Sequence, residues 1–177
     1  MSKIKIMDEI LANKIAAGEV VEKVASVVKE LVENSLDAGS NDIKIELKET
    51  GIKEIKVTDN GEGMDASDAK MAFFRHATSK IMSESDLYKI HTLGFRGEAL
   101  ASIASVSKVT LISSTGKIGT KVIVAGGKFV EETKTDARKG TIMIVQDLFY
   151  NTPARLKYLK NLYTELANVT TLVNKFA

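Results

Sequence analysis

The pattern of apolar and polar positions along the chain predicts its first helix and strand. Apolar residues recur at helical spacing from Val24 to Leu36, and Gly39 follows in a position that commonly ends a helix. Ile43, Ile45 and Leu47 then alternate with charged residues. This alternation is typical of a strand with one face on the core and one face in water.

The next strand ends on a carboxylate that is expected to face inward. Ile55 and Val57 occupy its core face after a turn at Thr50-Gly51, and Asp59 has the same parity. A carboxylate aimed at the space between two layers needs a polar partner, because burying it alone is costly.

The remaining pattern predicts the rest of a single domain that spans residues 1–177. The predicted elements are a helix from Met64-Asp65 toward His76 capped by Asp65, a long loop over 77 to 93, a helix over 99 to 106, strands near 107–115, 120–125, 128–133 and 140–147 with a hairpin turn at Gly126-Gly127, and a helix from Pro153 to the end. This order predicts an α+β fold: a two-layer sandwich with helices on one face of a mixed, mainly antiparallel sheet.

Composition narrows the class of protein without identifying it. The 177 residues are 44% apolar and 27% charged, with a net charge of +2, so composition gives no case for a strongly basic nucleic-acid surface. The absence of cysteine excludes disulfides, thiolate zinc sites and thiol nucleophiles. No apolar run approaches the ~20 residues that span a bilayer, and there is no secretory apolar segment. We therefore expect a cytoplasmic protein with no membrane association.

Three polar side chains line one edge of the helix that contains Leu36. At about 100° per residue, Glu30, Asn34 and Asp37 fall together at the border of the apolar stripe. For any one of these residues taken alone, a position on the solvent-exposed side of the helix is a sufficient explanation. Asn34 argues against that interpretation, because its short amide competes with the helix backbone. Together with Asp59, this edge indicates a nucleotide site.

A glycine-rich segment offers a second candidate for phosphate binding. Gly94-Phe95-Arg96-Gly97 precedes a predicted helix, where glycines allow close backbone approach and free N–H groups attract anions. Such turns are common, so the segment is weak by itself, and neither a Walker motif nor a GxGxxG fingerprint is present. His76 and His91 match no zinc spacing. Magnesium held by Asn34 and phosphate oxygens remains open.

Four segments taken together carry a family resemblance. They are Glu30–Gly39, Asp59–Gly63, Gly94–Ala99 and the strand start at Gly140-Thr141. They resemble the four ATP-site motifs of the GHKL superfamily, which includes gyrase B, the ninety-kilodalton heat-shock chaperone, histidine kinases and MutL. The resemblance implies the Bergerat ATP-binding fold, with ATP and Mg²⁺ as cofactors.

Within that superfamily the chain looks like the MutL mismatch-repair proteins, and the resemblance covers nearly all of it. The runs that carry it are Asn13–Val21, Phe74–Lys80, Gly94–Leu100 and Asp147–Arg155. Lys23-Val24 stands where MutL proteins usually have Arg-Pro, which leaves open how the long helix begins.

The resemblance implies roles for individual residues. Glu30 would be the catalytic general base, Asn34 would hold Mg²⁺ and Asp59 would accept a hydrogen bond from the adenine amino group. Other residues would contact the nucleotide at the base pocket, in an ATP lid over about 75–98 and along the phosphates. These are Ala38, Gly63, Met64, Thr141, then Thr78, Ser79, Lys80, and then Leu93, Gly94, Phe95, Arg96, Gly97, Glu98, Ala99 and Leu100.

The resemblance also implies a larger assembly. A flexible N-terminal arm over about residues 1–20 and the lid would close on ATP and drive homodimerisation, which would change contacts with DNA and with a mismatch-recognition protein of the MutS type. We expect the second ATPase subdomain, which supplies a lysine to the γ-phosphate, and the C-terminal dimerisation domain to be absent, so that hydrolysis by this chain is very slow.

Two other functions remain open at this stage. One is a nucleotide-sensing assembly module that does not hydrolyse ATP. The other is a plain DNA-binding protein, which the net charge disfavours although Arg155, Lys157 and Lys160 give the last helix a basic start.

Overall fold

A six-stranded sheet forms one layer of the domain in the computed structural model, which describes residues 7–77, 97–159 and 161–176. The strands are β1 Ile43–Lys48, β2 Glu54–Asp59, β3 Lys108–Ser114, β4 Gly119–Ala125, β5 Lys128–Thr135 and β6 Gly140–Gln146. Their order across the sheet is β1-β2-β6-β3-β4-β5, and every neighbouring pair is antiparallel. The predicted α+β sandwich is confirmed, although the described strands include no parallel pair that would make the sheet mixed.

Helices cover one face of this sheet. They are α1 Glu9–Val20, α2 Val24–Asp37, α3 Ala66–Met71, α4 Ala99–Ser105, α5 Pro153–Tyr158 and α6 Leu162–Phe176, with a 3₁₀ turn at Glu49–Gly51. The core lies between the layers, where Val27 and Leu31 of α2 belong to the same buried cluster as Ile55 and Leu111 of the sheet. Burying each such side chain stabilises the fold by roughly 1.5–3 kcal/mol.

The sequence did not predict α1. Its apolar residues surround the helix instead of forming one stripe: Ala17 is fully buried, whereas Leu11 and Ile15 are about half exposed. Gly18 leaves room for the end of the Arg155 side chain, because a Cβ on Gly18 would lie 2.2 Å from Arg155 Nη2. Residues 9–20 are thus helical, and the flexibility expected of an arm over about residues 1–20 stays a prediction.

The helix expected from Pro153 to the end of the chain is wrong as a single element. Leu159 has extended backbone angles after α5, and a new helix follows. Asn161 starts it, because its side-chain oxygen accepts from both Thr164 N and Thr164 Oγ1 at 3.0 Å. Asparagine is among the best N-caps, and this capping competes with continuation of the helix.

The helix expected from Met64-Asp65 toward His76 is shorter than predicted. Asp65 caps it as expected, since its carboxylate accepts from Asp68 N at 2.9 Å. The helix ends at Met71, and His76 has a φ of 61°, which lies outside the region of the right-handed α-helix. The loop predicted over 77 to 93 falls almost entirely outside the described residues.

A distant glutamate caps the N-terminus of α2. The residue in the cap position, Lys23, makes no side-chain capping bond. Instead Val24 N donates to Glu165 Oε2 of α6 at 3.3 Å, and Glu165 is only 2% exposed. This bond satisfies a backbone donor that no helical partner can reach and places a negative charge at the positive end of the helix.

Removing this cap is expected to destabilise the domain. Glu165→Ala leaves Val24 N buried without its acceptor, so we expect a loss of about 1–3 kcal/mol in the free energy of unfolding, measured by urea denaturation. Glu165→Gln keeps an acceptor and should lose less. Glu132→Ala is the matched control, because its surface ion pair with Lys70 is worth less than about 1 kcal/mol. Equal stability of the Glu165→Ala and Glu132→Ala proteins would contradict the capping role.

Candidate functional site

A line of polar side chains crosses the helix-facing side of the sheet near one end. Strand register aligns its members side by side on β2, β6, β3 and β4, and they are Asp59, Thr141, Ser113 and Thr120. We call these four residues the polar row. The next inward positions along the same strands are the buried apolar residues Val57, Met143, Leu111 and Val122. The core therefore gives way abruptly to hydrogen-bonding groups at this end.

Asp59 is held by donors from three parts of the chain. Its Oδ1 accepts from Gly61 N at 3.0 Å and from Thr141 N at 3.1 Å, and its Oδ2 accepts from Ser35 Oγ at 2.9 Å. The predictions that Asp59 points inward and that Thr141 lies beside it are confirmed. A carboxylate can accept about four hydrogen bonds, so the described contacts leave Oδ2 able to accept one more.

Ser113 connects the polar row to the turn after β2. Its Oγ accepts from Met64 N at 2.8 Å and lies 3.0 Å from Gly140 O and 2.9 Å from Thr141 Oγ1. Gly63 is needed beside it, because its φ is +72° and a Cβ would lie 2.0 Å from Ser114 O. The structure thus brings Gly63 and Met64 to the polar row, next to Thr141.

Helix α2 forms the opposite side of the candidate site. Ser35 reaches Asp59 directly, and Asn34 precedes it on the helix. At a rise of 1.5 Å per residue, Glu30 lies about 7.5 Å from Ser35 along the axis. Glu30, Asn34 and Asp37 are all half-buried, which confirms the predicted border position. The Glu30 side chain is 25% exposed, and its Oε1 lies 3.9 Å from Lys29 Nζ.

The structure also places the predicted contact residue at the end of α2. Ala38 O accepts from Glu62 N at 3.0 Å, and a Cβ on Gly61 would lie 2.8 Å from the same oxygen. Ala38 therefore packs directly against the turn that follows Asp59.

The glycine-rich segment is described only in its second half. Gly97 has a φ of +62°, and its carbonyl accepts from His76 N at 3.0 Å. The Glu98 carboxylate lies 3.1 Å from Arg75 Nη2, and Ala99 and Leu100 begin α4. The other predicted lid and phosphate residues lie outside the described residues: Thr78, Ser79, Lys80, Leu93, Gly94, Phe95 and Arg96.

The sequence interpretation missed two residues of the site. Ser35 lies in the apolar stripe of α2 and is 3% exposed, and Ser113 is fully buried at an inward position of β3. The available signal was a small polar residue at a position that the periodicity assigns to the core. Such a hydroxyl needs a hydrogen-bond partner when it is buried.

The described part of the chain has three further features. Its residues contain no group of three or more His, Cys, Asp or Glu side chains suited to a metal ion. None of its helices has the length and apolar character required to cross a membrane. Two cavities have no member of the polar row in their lining: one of about 530 Å³ beside Lys117 and Arg138, and one of about 330 Å³ between α2 and α6.

Comparisons with known proteins show the family to which the chain belongs. Residues 21–147 match the family of histidine kinase-, DNA gyrase B-, and HSP90-like ATPases. The DNA mismatch repair protein MutL of Geobacillus sp. (strain WCH70) is 60% identical over all of this chain, and that of Bacillus cytotoxicus is 58% identical. The chain spans 29% and 27% of these two relatives, less than a third of their length.

Solved structures show the same fold. The Aquifex aeolicus MutL ATPase domain complexed with ADP matches with a TM-score of 0.67 and 35% identity, over 89% of this chain and 56% of that one. The N-terminal domain of a DNA repair protein matches with a TM-score of 0.76 and 32% identity, over 92% of this chain and 47% of the other. The chain therefore belongs to the histidine kinase-, DNA gyrase B- and HSP90-like ATPase family. Within that family, the whole of this chain matches part of the mismatch-repair protein MutL.

Proposed function

We propose that this chain binds ATP between α2 and the polar row and hydrolyses it slowly, as the ATPase part of a DNA mismatch-repair protein. The observation that carries the proposal is the Asp59 carboxylate, which is fixed by three donors and retains one acceptor position beside α2. Family membership supplies the ATPase chemistry, and a MutL relative has been solved with ADP.

The base end of the site suits an adenine. Its exocyclic amino group would donate to Asp59 Oδ2, and a hydrogen bond to a charged group is worth about 1.5–3 kcal/mol. Gly63, Met64 and Thr141 would shape the pocket around the ring. The positions of Met64 and Thr141 support this proposal, because Met64 N donates to Ser113 Oγ and Thr141 N donates to Asp59 Oδ1.

The phosphate end would lie along the edge of α2. Glu30 would act as general base by orienting a water molecule toward the γ-phosphate, a role typically worth ~10²–10⁴ in rate. Ala38 and the segment Leu93–Leu100 would contact the nucleotide, with backbone groups of the segment on the phosphates. Thr78, Ser79 and Lys80 would belong to the lid that closes over it.

Magnesium fits the donors that α2 offers. The Asn34 side-chain oxygen is a hard ligand of the kind that this ion prefers, and Mg²⁺ commonly takes few protein ligands beside phosphate oxygens and water. When bound, the ion would neutralise charge on the phosphates, while Asn34 would hold it in place.

Larger-scale behaviour is part of the same proposal. ATP would order the lid and the N-terminal arm and favour a homodimer in the cytoplasm, where the whole protein would contact DNA and a mismatch-recognition protein of the MutS type. The identity to MutL proteins supports this role in repair. Leu11 and Ile15, which are about half exposed on α1, offer an apolar surface for the proposed homodimer.

A second candidate is a nucleotide-sensing module without hydrolysis. The bonds that hold Asp59 come from Ser35, Gly61 and Thr141 and not from Glu30, so the base site does not depend on the residue proposed for hydrolysis. In addition, the chain spans less than a third of the length of these MutL relatives, and the family resemblance implies that a lysine from outside this span contacts the γ-phosphate. Such a module would bind ATP through Asp59 and use it only to control assembly.

Substitutions at the two ends of the site are expected to separate binding from turnover. Asp59→Ala removes the acceptor for the amino group, so we expect ATP binding to weaken by about tenfold or more, measured by titration with a fluorescent ATP analogue. Glu30→Ala should bind within about twofold of the unsubstituted chain but lose turnover by ~10²–10⁴. Asp68→Ala on the exposed face of α3 is the control. Normal binding by Asp59→Ala would refute the proposed base site.

Steady-state phosphate release distinguishes slow hydrolysis from pure sensing. We expect the 177-residue chain to release phosphate about 10²-fold more slowly than the full-length protein, because a cationic group on the γ-phosphate is worth that much. Chelation of Mg²⁺ should abolish the activity, and the Glu30→Ala rate gives the background. Release indistinguishable from that background favours the sensing module. A rate equal to that of the full-length protein contradicts the proposed contribution of a lysine from outside residues 1–177.

A further inference from the structure

Each hydroxyl group of the polar row carries one proton and can donate one hydrogen bond. Ser113 is fully buried and carries one hydroxyl proton. Three groups lie within hydrogen-bond distance of its Oγ: Met64 N at 2.8 Å, Thr141 Oγ1 at 2.9 Å and Gly140 O at 3.0 Å. Met64 N can only donate and Gly140 O can only accept. The Ser113 proton therefore has two possible targets, Gly140 O and Thr141 Oγ1.

The two arrangements differ in the number of bonds formed. If Ser113 donates to Gly140 O, the Thr141 hydroxyl can donate to Ser113, and all three contacts are hydrogen bonds. If Ser113 donates to Thr141, the contact with Gly140 O is lost. The two hydroxyl groups and Gly140 O are buried. Because each internal bond is worth about 0.5–1.5 kcal/mol and a buried unpaired group costs more, the first arrangement is favoured.

In the favoured arrangement the Thr141 proton points away from the base pocket. Thr141 Oγ1 then presents only lone pairs toward a ligand, as Asp59 Oδ2 does beside it. We infer that Ser113 is a positioning residue that fixes the Thr141 hydroxyl as an acceptor and so contributes to the selection of a 6-amino purine over a 6-oxo purine.

This inference rests on the ATP site proposed above and adds the origin of its base selectivity. A 6-amino group brings donors to the two acceptors, whereas the 6-oxo group of inosine triphosphate brings a third acceptor. Without Ser113, the Thr141 hydroxyl could rotate and donate to that oxygen. The discrimination between the two nucleotides would then fall.

The test is the ratio of the dissociation constants for inosine triphosphate and ATP, measured for each variant by competition against a fluorescent ATP analogue. Ser113→Ala should lower this ratio by about threefold to tenfold, the equivalent of one hydrogen bond. Ser107→Ala is the matched control, because Ser107 is also fully buried but its hydroxyl donates to Ile103 O at 2.6 Å and not to a group of the polar row. General loss of stability would change both dissociation constants together and leave the ratio unaltered.

A double-mutant cycle identifies the route of the effect. Thr141→Val removes the hydroxyl that Ser113 is inferred to orient, so adding Ser113→Ala to it should leave the ratio unchanged. A further drop in the ratio on that background, or an unchanged ratio in Ser113→Ala alone, overturns the inference while the ATP site stands. If the unsubstituted chain binds neither nucleotide, the proposed function fails and the inference falls with it.

Direct observation of the proton covers the case in which Ser113→Ala does not fold. In the unsubstituted chain, the Thr141 hydroxyl proton should exchange slowly with water in NMR spectra, because it lies in a buried bond to Ser113. A Thr141 hydroxyl proton that exchanges rapidly, as one directed into an open pocket would, overturns the inference.

Discussion

The hydrogen-bonded carboxylate of Asp59, at the border between the two layers, is the constraint on which the rest of the site depends. A carboxylate at this position would be costly without partners. Its three donors come from the turn after β2, from the neighbouring strand β6 and from α2. Each bond therefore fixes one wall of the candidate pocket relative to the other two. The residual acceptor on Oδ2 follows from the same arrangement, and in the proposed site it would receive the adenine amino group.

Helix α2 is fixed at both ends by side chains distant in the sequence. Glu165 of α6 accepts from its first backbone N–H, and Asp59 accepts from Ser35 in its last turn. The apolar stripe between these points is buried against the sheet. Glu30 and Asn34 lie on the half-buried edge of a helix that can neither slide nor rotate without breaking one of these contacts. The general-base role proposed for Glu30 requires such rigidity.

Much of this arrangement follows from periodicity, and the rest follows from strand order. The alternation in β1 and β2 and the parity of Asp59 predicted two strands and an inward carboxylate, both confirmed. The part played by Ser113 could not be predicted in this way, because it depends on β6 lying between β2 and β3 in the sheet. The Glu165 cap joins residues 141 positions apart, which no local pattern reveals. Helix α1 lacks a single apolar stripe, and the break before Asn161 reflects capping and not hydrophobic spacing.

The central claim is that Asp59 and the edge of α2 that carries Asn34 and Glu30 face one shared nucleotide. A crystal structure of this chain with a non-hydrolysable ATP analogue and magnesium tests it most directly. The account predicts the exocyclic amino group within about 3 Å of Asp59 Oδ2, with the triphosphate running along α2 past Asn34 toward Glu30. A base bound away from Asp59, or a triphosphate on another face of the domain, would contradict it.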